Sequence, residues 1–305
     1  MDRVAVIDVG SNGIKIFVGE SADDGTVRTV LDTNNITRLG EGLDATGLIS
    51  ADVMQRNVDA VTEFAARARS LGAGTIVCVG TMALRNAGNS AEFADRVRRS
   101  CGIDVRIISG EEEARLSYLA VLSGLRIEND EELVVFDTGG GSTEFIYGRG
   151  PAPVRRFSVN TGAVRITENY LKSDPVTADE VAAAIDRIDG DFAGAGVDGH
   201  PQRLVGLGGA VTTMGAVKLR MPSYDPRIIQ GSWLSKADVE AQIAEYSART
   251  IARRRQLPGL QPGRADVILA GACIVKVITD RLGADGLTIS HRGLRHGLAF
   301  ELLRG

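Results

Sequence analysis

Two stretches of the chain repeat one pattern of apolar and polar positions. Arg3–Ile7 is a short apolar run that passes through an Asp-x-Gly turn into Ile14–Val18, where apolar and polar residues alternate. Leu133–Phe136 passes through a second Asp-x-Gly turn into Glu144–Tyr147. Each stretch predicts a strand, a tight turn and a second strand. The two turns are 129 residues apart, which indicates an internal repeat on the scale of a domain.

Apolar residues at helical spacing fill much of the remaining chain, and their alternation with the strands predicts an α/β fold. The predicted helices cover 51–71 behind an N-cap at Ser50, begin at Thr177 and at Ser235, and run from Gly208 to about Arg220. Segments 189–199 and 221–230, rich in Gly and Asp or in Pro, are predicted loops. The Arg253–Arg255 run is predicted to be a solvated helix end.

Composition narrows the class of protein. The 305 residues carry a formal net charge of −4 and are 44% apolar, as in an ordinary globular protein, and we expect two domains of about 130–170 residues. The net negative charge argues against a broad nucleic-acid interface, and no apolar run is long enough to span a bilayer. Cys78, Cys101 and Cys273 lack the spacing of a zinc site or a disulfide framework. We therefore expect a cytoplasmic protein.

The two Asp-x-Gly turns have the residue types of phosphate-binding loops. Glycines let the backbone approach a ligand so that successive N–H groups point into one concavity, and neighbouring hydroxyl and amide side chains add donors. Asp8 and Asp137 stand just before the glycines, where a carboxylate repels phosphate unless a cation such as Mg²⁺ lies between them. For either turn alone, the better interpretation is a Gly-rich β-turn capped by its Asp. Two copies with matching spacing favour the functional interpretation.

Two further segments carry candidate chemistry. Gly208 and Gly209 follow an apolar run and open a predicted helix, whose free N–H groups and dipole attract anions. Ser109 is a predicted N-cap, and Glu112 completes a capping box with it. Glu113 then projects from another face of the helix, because successive helical residues point about 100° apart. The alternative is that all three consecutive glutamates only complement the helix dipole.

Four motifs occur in a specific order: Asp8-Val9-Gly10-Ser11-Asn12, Gly80-Thr81-Met82-Ala83-Leu84-Arg85, Ser109-Gly110-Glu111-Glu112-Glu113-Ala114-Arg115 and Asp137-Thr138-Gly139-Gly140-Gly141-Ser142-Thr143-Glu144. The series resembles the exopolyphosphatase/guanosine pentaphosphate phosphohydrolase family (Ppx/GppA). The likeness covers essentially the whole chain, through Gly162–Arg165, Gly206–Gly209, Pro258–Leu260 and Gly293–Arg295. It implies two ribonuclease-H-like domains of the actin, sugar kinase and heat-shock ATPase fold around an interdomain cleft, in the short two-domain form of the family.

The resemblance also implies a role for each matching residue. Glu113 corresponds to the general base that activates the attacking water. Asp8, Asp137 and Glu144 correspond to positions at a metal ion, Mg²⁺ or Mn²⁺. The positions that correspond to phosphate contacts are Gly10, Ser11, Asn12, Thr81, Arg85, Gly139, Gly140, Gly141, Ser142, Thr143, Gly208 and Gly209.

Three residues depart from the family pattern. Gly13 stands where the family usually has Ser or Thr, so that one hydroxyl donor is missing from the first loop. His291 and His296 each stand where the family usually has an acid. Two partly buried imidazoles are the simpler interpretation, and a less negative polyanion site at moderately low pH is the alternative.

The resulting prediction is a Mg²⁺-dependent hydrolase that releases terminal phosphate from inorganic polyphosphate of short chain length, from guanosine pentaphosphate, or from both. A non-catalytic sensor of polyphosphate or (p)ppGpp and an ATPase of the same fold are the alternatives. We expect no nucleic-acid or membrane partner, and a homodimer stays open. The predicted domains are 1–126 and 127–305, and the resemblance allows the last helix, about 294–303, to pack on the first domain.

Overall fold

The computed structural model describes residues 3–22 and 27–304 and divides them into two compact units. The first unit comprises the described residues up to Ser123 together with the C-terminal segment from Gly293. The second unit is the continuous segment Gly124–Arg292. The boundaries thus lie at Ser123/Gly124 and Arg292/Gly293, whereas the sequence analysis placed a single boundary between residues 126 and 127.

The first unit contains a five-stranded sheet with helices on both faces. Its strands, numbered along the chain, are β1 (Arg3–Val9), β2 (Ile14–Ser21), β3 (Val27–Asn35), β4 (Thr75–Gly80) and β5 (Val105–Ile107). Its helices are α1 (Leu43–Thr46), α2 (Ala51–Ser70), α3 (Met82–Asn86), α4 (Ser90–Cys101), α5 (Gly110–Leu122) and, at the end of the chain, α13 (Leu294–Arg304). The strand order is β3-β2-β1-β4-β5. Strand β2 is antiparallel to both of its neighbours, β1 and β3, whereas β4 and β5 are parallel to β1.

Burial on both faces explains why β1 is apolar throughout. Ala5 and Ile7 face the core formed with α2 and α4, whereas Val4 and Val6 face the core formed with α5 and α13. Alternate side chains of a strand point to opposite faces, so a strand with both faces covered has few polar positions. The apolar stripe of α2 lies in the first of these cores, as its helical spacing predicted.

The second unit repeats this arrangement and adds one edge strand. Its strands are β6 (Glu132–Thr138), β7 (Thr143–Arg149), β8 (Ala152–Val159), β9 (Arg203–Leu207), β10 (Trp233–Ser235) and β11 (Gly286–Ile289). Its helices are α6 (Ala163–Tyr170), α7 (Ala178–Gly194), α8 (Gly208–Lys218), α9 (Pro226–Ile229), α10 (Lys236–Ser247), α11 (Ile251–Arg254) and α12 (Ile268–Arg281), with a 3-10 turn at Pro262–Arg264.

The strand order in the second unit is β10-β11-β9-β6-β7-β8. Strands β8-β7-β6-β9-β11 correspond to β3-β2-β1-β4-β5, and the β6–β7 hairpin corresponds to the β1–β2 hairpin. Both units therefore have the ribonuclease-H-like order, and the predicted fold class and internal repeat are confirmed. The predicted helices at Thr177 and Ser235 are also confirmed, each with a complete capping box.

Three local predictions are wrong. Helix α7 continues to Gly194, through half of the predicted loop at 189–199, and the predicted loop at 221–230 contains α9. Arg254, predicted to be solvated, has an exposed fraction of 1%. Its Nε donates to the carbonyl oxygen of Tyr246 at 2.6 Å, and burial lowers the pKa of its guanidinium. Helix α11 is only one turn long, so tertiary packing decides where its side chains point.

The C-terminal helix α13 completes the core of the first unit. Gly297 lies so close to α5 that a Cβ there would overlap the carbonyl oxygen of Leu116. Arg115 on α5 forms an ion pair with Glu301 at 2.5 Å. Helix α5, which carries Glu113, is therefore fixed in part by the last residues of the chain. Among residues 3–22 and 27–304, no helix is long and apolar enough to cross a bilayer.

Candidate active site

The first loop, residues 10–13, joins β1 to β2 and is closed by a hydrogen bond from the Gly10 N–H to the carbonyl oxygen of Gly13 at 3.2 Å. The carbonyl oxygens of Ser11 and Asn12 accept hydrogen bonds from the N–H groups of Gly40 at 2.8 Å and Arg38 at 3.1 Å. A carbonyl and the N–H of the next residue lie in one peptide plane and point in opposite directions. Engaging the carbonyls therefore turns the N–H groups of Asn12 and Gly13 toward the other side of the loop, as an anion-binding loop requires.

Asn12 also contributes its side chain to this loop. Its amide oxygen is buried and has no hydrogen-bond partner among the described residues. A buried amide offers either a donor or an acceptor to a ligand, depending on its orientation. This position is consistent with the predicted phosphate contact.

Gly13 is explained by backbone packing. A Cβ at this position would lie 2.5 Å from the carbonyl oxygen of Asn35 at the end of β3. The side chain of Ser or Thr therefore does not fit with β3 in its present place. The departure from the family pattern is compensated by a closer approach of two backbone segments.

The second loop, residues 139–142, is closed in the same way, by the Gly139 N–H donating to the carbonyl oxygen of Ser142 at 2.9 Å. The carbonyl oxygens of Gly139 and Gly140 accept hydrogen bonds from the start of α6, at 3.0 Å from Ala163 N and 2.7 Å from Val164 N. The N–H groups of Gly140 and Gly141 point away from α6 for the same planar reason. Neither has an acceptor among the described residues.

The two hairpins differ at the residue opposite the loop aspartate. Asp8 is paired in register with Lys15, whose Nζ lies 3.5 Å from Asp8 Oδ2. Asp137 is paired in register with Glu144, so that two carboxylates share one face of the second hairpin. The first hairpin is thus nearly neutral at this point, whereas the second concentrates negative charge.

Several predicted donors of the second loop are already engaged within the protein. Ser142 and Ser158 both donate their hydroxyl hydrogens to Glu144 Oε1 at 2.7 Å, and Glu144 is 1% exposed. The Thr143 hydroxyl donates to the carbonyl oxygen of Thr161 at 2.6 Å. These bonds orient Glu144 and anchor the start of β7. Phosphate contacts from Ser142 and Thr143 stay a prediction.

The second hairpin has the donors that a magnesium ion prefers. Asp137 and Glu144 supply hard carboxylate oxygens, and the buried hydroxyl of Thr138 has no partner among the described residues. Gly208, with φ of +95°, leaves open the space beside Asp137, where a Cβ would lie 3.0 Å from Oδ1. Asp8, opposite a lysine, is a poorer ligand. The residues of the second unit therefore fit the predicted metal, while ligation by Asp8, Asp137 and Glu144 stays a prediction.

Arg264 is a candidate phosphate-binding residue that the sequence analysis missed. The third loop ends β9 and begins α8, as predicted, and the guanidinium of Arg264 lies directly against Gly209 at the first turn of that helix. Its Nε donates to Gln261 Oε1 at 3.0 Å. A guanidinium beside this loop adds charged donors of the kind that bind phosphate. The only signal in the sequence was the Pro258–Leu260 motif, which marks the segment but not the arginine.

Glu113 lies beside Arg85. Arg85 Nη1 donates to Glu113 Oε2 and to the carbonyl oxygen of Ile108, both at 2.9 Å. The two side chains are 21% and 13% exposed. Thr81, whose N–H donates to the carbonyl oxygen of Val9 at 3.2 Å, precedes α3, which carries Arg85. Three predicted residues, Thr81, Arg85 and Glu113, therefore come together next to the end of β1.

The neighbouring glutamates have separate roles. The hydroxyl oxygen of Ser109 accepts the N–H of Glu112 at 3.1 Å, so the predicted N-cap is confirmed. The predicted capping box is wrong, because the Glu112 carboxylate pairs with Arg106 at 3.1 Å instead of returning to the Ser109 N–H. Glu111 is exposed. Of the three glutamates, only Glu113 faces the predicted phosphate-binding arginine.

The two departures at histidine each have hydrogen-bond partners. His296 is 7% exposed, its Nδ1 accepts the N–H of Gly293 at 3.1 Å, and its Nε2 lies 2.9 Å from Asp32 Oδ2. A ring whose Nδ1 accepts a backbone N–H carries its proton on Nε2 and donates it to Asp32. His291 Nδ1 lies 3.1 Å from the hydroxyl of Tyr224.

We expect Arg85→Ala to lower kcat/KM about 10- to 150-fold, since losing a charge-assisted hydrogen bond to phosphate costs about 1.5–3 kcal/mol. The same change leaves the Glu113 carboxylate without the guanidinium at 2.9 Å. Steady-state kinetics measure the effect on kcat/KM. Arg85→Lys keeps the positive charge and should lose less activity than Arg85→Ala. An unchanged kcat/KM would place Arg85 outside the site.

The chain is similar to known proteins over almost its whole length. The model of the Ppx/GppA phosphatase family matches residues 18–304. Exopolyphosphatase 2 of Mycobacterium tuberculosis is 34% identical over 99% of both chains. A guanosine-5'-triphosphate,3'-diphosphate pyrophosphatase of Vibrio atlanticus is 31% identical over 98% of this chain and 59% of its own length. The crystal structure of the Aquifex aeolicus family member, 31% identical, superposes with a TM-score of 0.84 over 99% of this chain and 98% of its own.

Two ribonuclease-H-like units, each opening with a glycine-rich hairpin, together with these relatives define the class of the protein as a phosphohydrolase. The chain belongs to the Ppx/GppA phosphatase family. The predicted family and the predicted enzyme class are thereby confirmed.

Proposed function

We propose that this protein hydrolyses the terminal phosphoanhydride bond of inorganic polyphosphate or of guanosine pentaphosphate. The observation that carries the proposal is the Arg85–Glu113 pair, which sets a carboxylate beside a phosphate-binding guanidinium in the unit of the first loop. A receptor that only binds phosphate needs the guanidinium and the loops. The carboxylate beside them repels a polyanion, and a role in activating water accounts for its place in the site.

The proposed step is an in-line displacement. Glu113 takes a proton from water as the water oxygen forms a bond to the terminal phosphorus, and the bond to the bridging oxygen breaks. Orthophosphate leaves, and the shortened chain carries the negative charge of its new terminal oxygen. The loop N–H groups hold the phosphate chain, and Arg85 stabilises the charge that spreads over the phosphoryl oxygens of the transferred group.

A divalent cation has a defined place in this proposal. Asp137 and Glu144 would hold Mg²⁺, or Mn²⁺, on the shared face of the second hairpin. The ion, when bound, neutralises phosphate oxygens and so reduces repulsion between the substrate and these carboxylates. The hydroxyl groups of Ser142 and Ser158 keep Glu144 in the orientation that this function needs.

We favour inorganic polyphosphate of short chain length as the substrate of this protein. Every candidate contact in the two loops is a donor to phosphate oxygens, and such contacts do not distinguish a nucleotide from an inorganic chain. The relatives named above include an exopolyphosphatase and a guanosine pentaphosphate pyrophosphatase, so both substrates belong in the test.

The deciding experiment measures phosphate release from tripolyphosphate, longer polyphosphates, guanosine pentaphosphate and ATP, each with and without Mg²⁺. We expect Mg²⁺-dependent release from tripolyphosphate and guanosine pentaphosphate, and little from ATP. Binding of these compounds without release would instead identify a sensor. Release from ATP alone would identify an ATPase of the same fold.

A further inference from the structure

The carbonyl groups of the two phosphate loops accept hydrogen bonds from different kinds of structure. In the second unit, the helix N-terminus at Ala163–Arg165 engages the loop carbonyls. In the first unit, this support comes from residues 36–40, an irregular segment between β3 and α1 that we call the arch. The Arg38 and Gly40 N–H groups of the arch hold the carbonyls of Asn12 and Ser11. An irregular segment lacks the internal hydrogen bonds of a helix, so something else must keep the arch in place.

That support is a buried hydrogen-bond network around Asn57 of α2. Asn57 is a polar residue on the apolar, buried face of α2, and it has no exposed surface. Its Nδ2 donates to the carbonyl oxygens of Val53 at 2.8 Å and Thr37 at 3.3 Å, and its Oδ1 accepts the hydroxyl hydrogen of Thr37 at 2.5 Å. A fully buried amide is costly unless its partners are satisfied, so this network specifies one position for the arch.

The backbone of the arch is strained next to this anchor. Arg38 has φ of +53°, a left-handed conformation that residues with a Cβ rarely adopt. Backbone outliers of this kind persist when the surrounding structure over-determines them, and they cluster at functional sites. Hydrogen bonds fix the backbone on both sides of this strained residue. Thr37, which precedes it, bonds to Asn57, and the N–H of Arg38 itself bonds to the carbonyl oxygen of Asn12.

We propose that Thr37 and Asn57 are positioning residues for the first phosphate loop. The Thr37–Asn57 bonds fix the arch, the arch fixes the carbonyls of Ser11 and Asn12, and the peptide planes then turn the N–H groups of Asn12 and Gly13 toward phosphate. The inference rests on the proposed function, because it names what sets the geometry of that same site. Neither residue appears among the motifs that the sequence analysis singled out.

Thr37→Val tests this inference with the smallest change of shape. Valine keeps the volume and branching of threonine but cannot donate to Asn57 Oδ1, so a buried amide oxygen loses its partner. The carbonyl oxygen of residue 37 keeps its bonds from Asn57 Nδ2 and Arg56 Nε, so the arch loosens without detaching and the loop N–H groups lose part of their alignment. We expect KM for tripolyphosphate to rise about 3- to 10-fold while kcat stays within about twofold, because loop N–H groups hold phosphate in the ground state and the transition state alike. Thr37→Ser retains the hydroxyl and should restore the wild-type KM.

Thr62→Val on the same helix is the matched control. Its hydroxyl donates to the carbonyl oxygen of Val58 at 2.8 Å, within α2 and away from the arch. Thr62→Val also removes one threonine hydrogen bond, but this bond does not involve the arch. It therefore shows how the loss of such a bond in α2 affects KM when the arch is unchanged. Its KM should equal that of the wild type. Equal KM values for Thr37→Val and Thr62→Val would overturn the inference, whatever their melting temperatures.

A binding measurement separates this inference from the proposed function. Calorimetric titration with tripolyphosphate in the absence of Mg²⁺ reports phosphate binding by the protein itself and needs no turnover. Wild-type binding that weakens 3- to 10-fold in Thr37→Val supports the inference even if the wild type hydrolyses nothing, a result that would overturn the proposed function. Hydrolysis by the wild type with identical affinities in both proteins overturns the inference and leaves the proposed function in place.

Discussion

Glu113→Gln should lower kcat about 10²- to 10⁴-fold on polyphosphate or guanosine pentaphosphate, the usual contribution of a general base. Glutamine keeps the shape of the side chain and one hydrogen-bond acceptor, but it cannot take a proton from water. The change also leaves the Arg85 guanidinium without its carboxylate at 2.9 Å, so substrate affinity should hold or increase. Single-turnover rates and direct binding measure the two effects separately.

Glu111→Gln and Glu112→Gln are the built-in controls for this prediction. Glu111 is exposed, and Glu112 pairs with Arg106 at the surface. Each interacts with the helix dipole for about 0.3–1 kcal/mol of stability, which changes the melting temperature but not the chemical step. Similar rates for all three variants would refute the Glu113 assignment and would favour the sensor over the hydrolase.

Loss of a metal ligand should have the second largest effect on activity. Asp137→Asn leaves Glu144 as the single carboxylate on that face of the hairpin, and we expect kcat/KM at about 1 mM Mg²⁺ to fall roughly 100-fold or more. A Mg²⁺ titration should show that higher concentrations recover part of the activity. Chelation of the wild-type protein with excess EDTA should abolish phosphate release.

Asp8→Asn provides the comparison. Lys15 already neutralises Asp8. Asp8→Asn should therefore raise the Mg²⁺ concentration needed for activity less than Asp137→Asn does. It leaves an ammonium without its carboxylate beside the first loop, which favours phosphate binding. Wild-type activity that persists in excess EDTA would contradict the metal role of both aspartates.

The elements that the sequence predicted well depend on short-range patterns. The Asp-x-Gly hairpins, the helix at Glu113 and the two helices that begin at Thr177 and Ser235 are each specified within about ten residues, because turn geometry and N-caps are local. The repeat of β1–β2 by β6–β7 could be predicted because its pattern survives in the sequence. These local motifs also contain most of the candidate site.

What the sequence did not predict depends on pairing between distant segments. Arg264 lies against Gly209 because the 3-10 turn at Pro262–Arg264 packs on α8, and no local pattern specifies that contact. Arg254 is buried although an Arg run usually marks a solvated helix end. The proposed role of Thr37 is equally hidden, because Thr37 lies in an irregular segment and its partner Asn57 lies in α2. In each case tertiary packing decides the role of a side chain whose type is compatible with several.

The place of α13 bears on the order in which the protein is made. The ribosome synthesises all of residues 124–292 before the segment from Gly293 that completes the first unit. At about 5–20 residues per second, the first unit waits roughly ten to thirty seconds for this helix while the second unit, which is continuous, can fold. Helix α5 packs against α13, so the helix that carries the candidate base Glu113 is fixed in place last. A nascent chain can therefore complete the hairpin loop of its second unit well before the surroundings of Glu113 are complete.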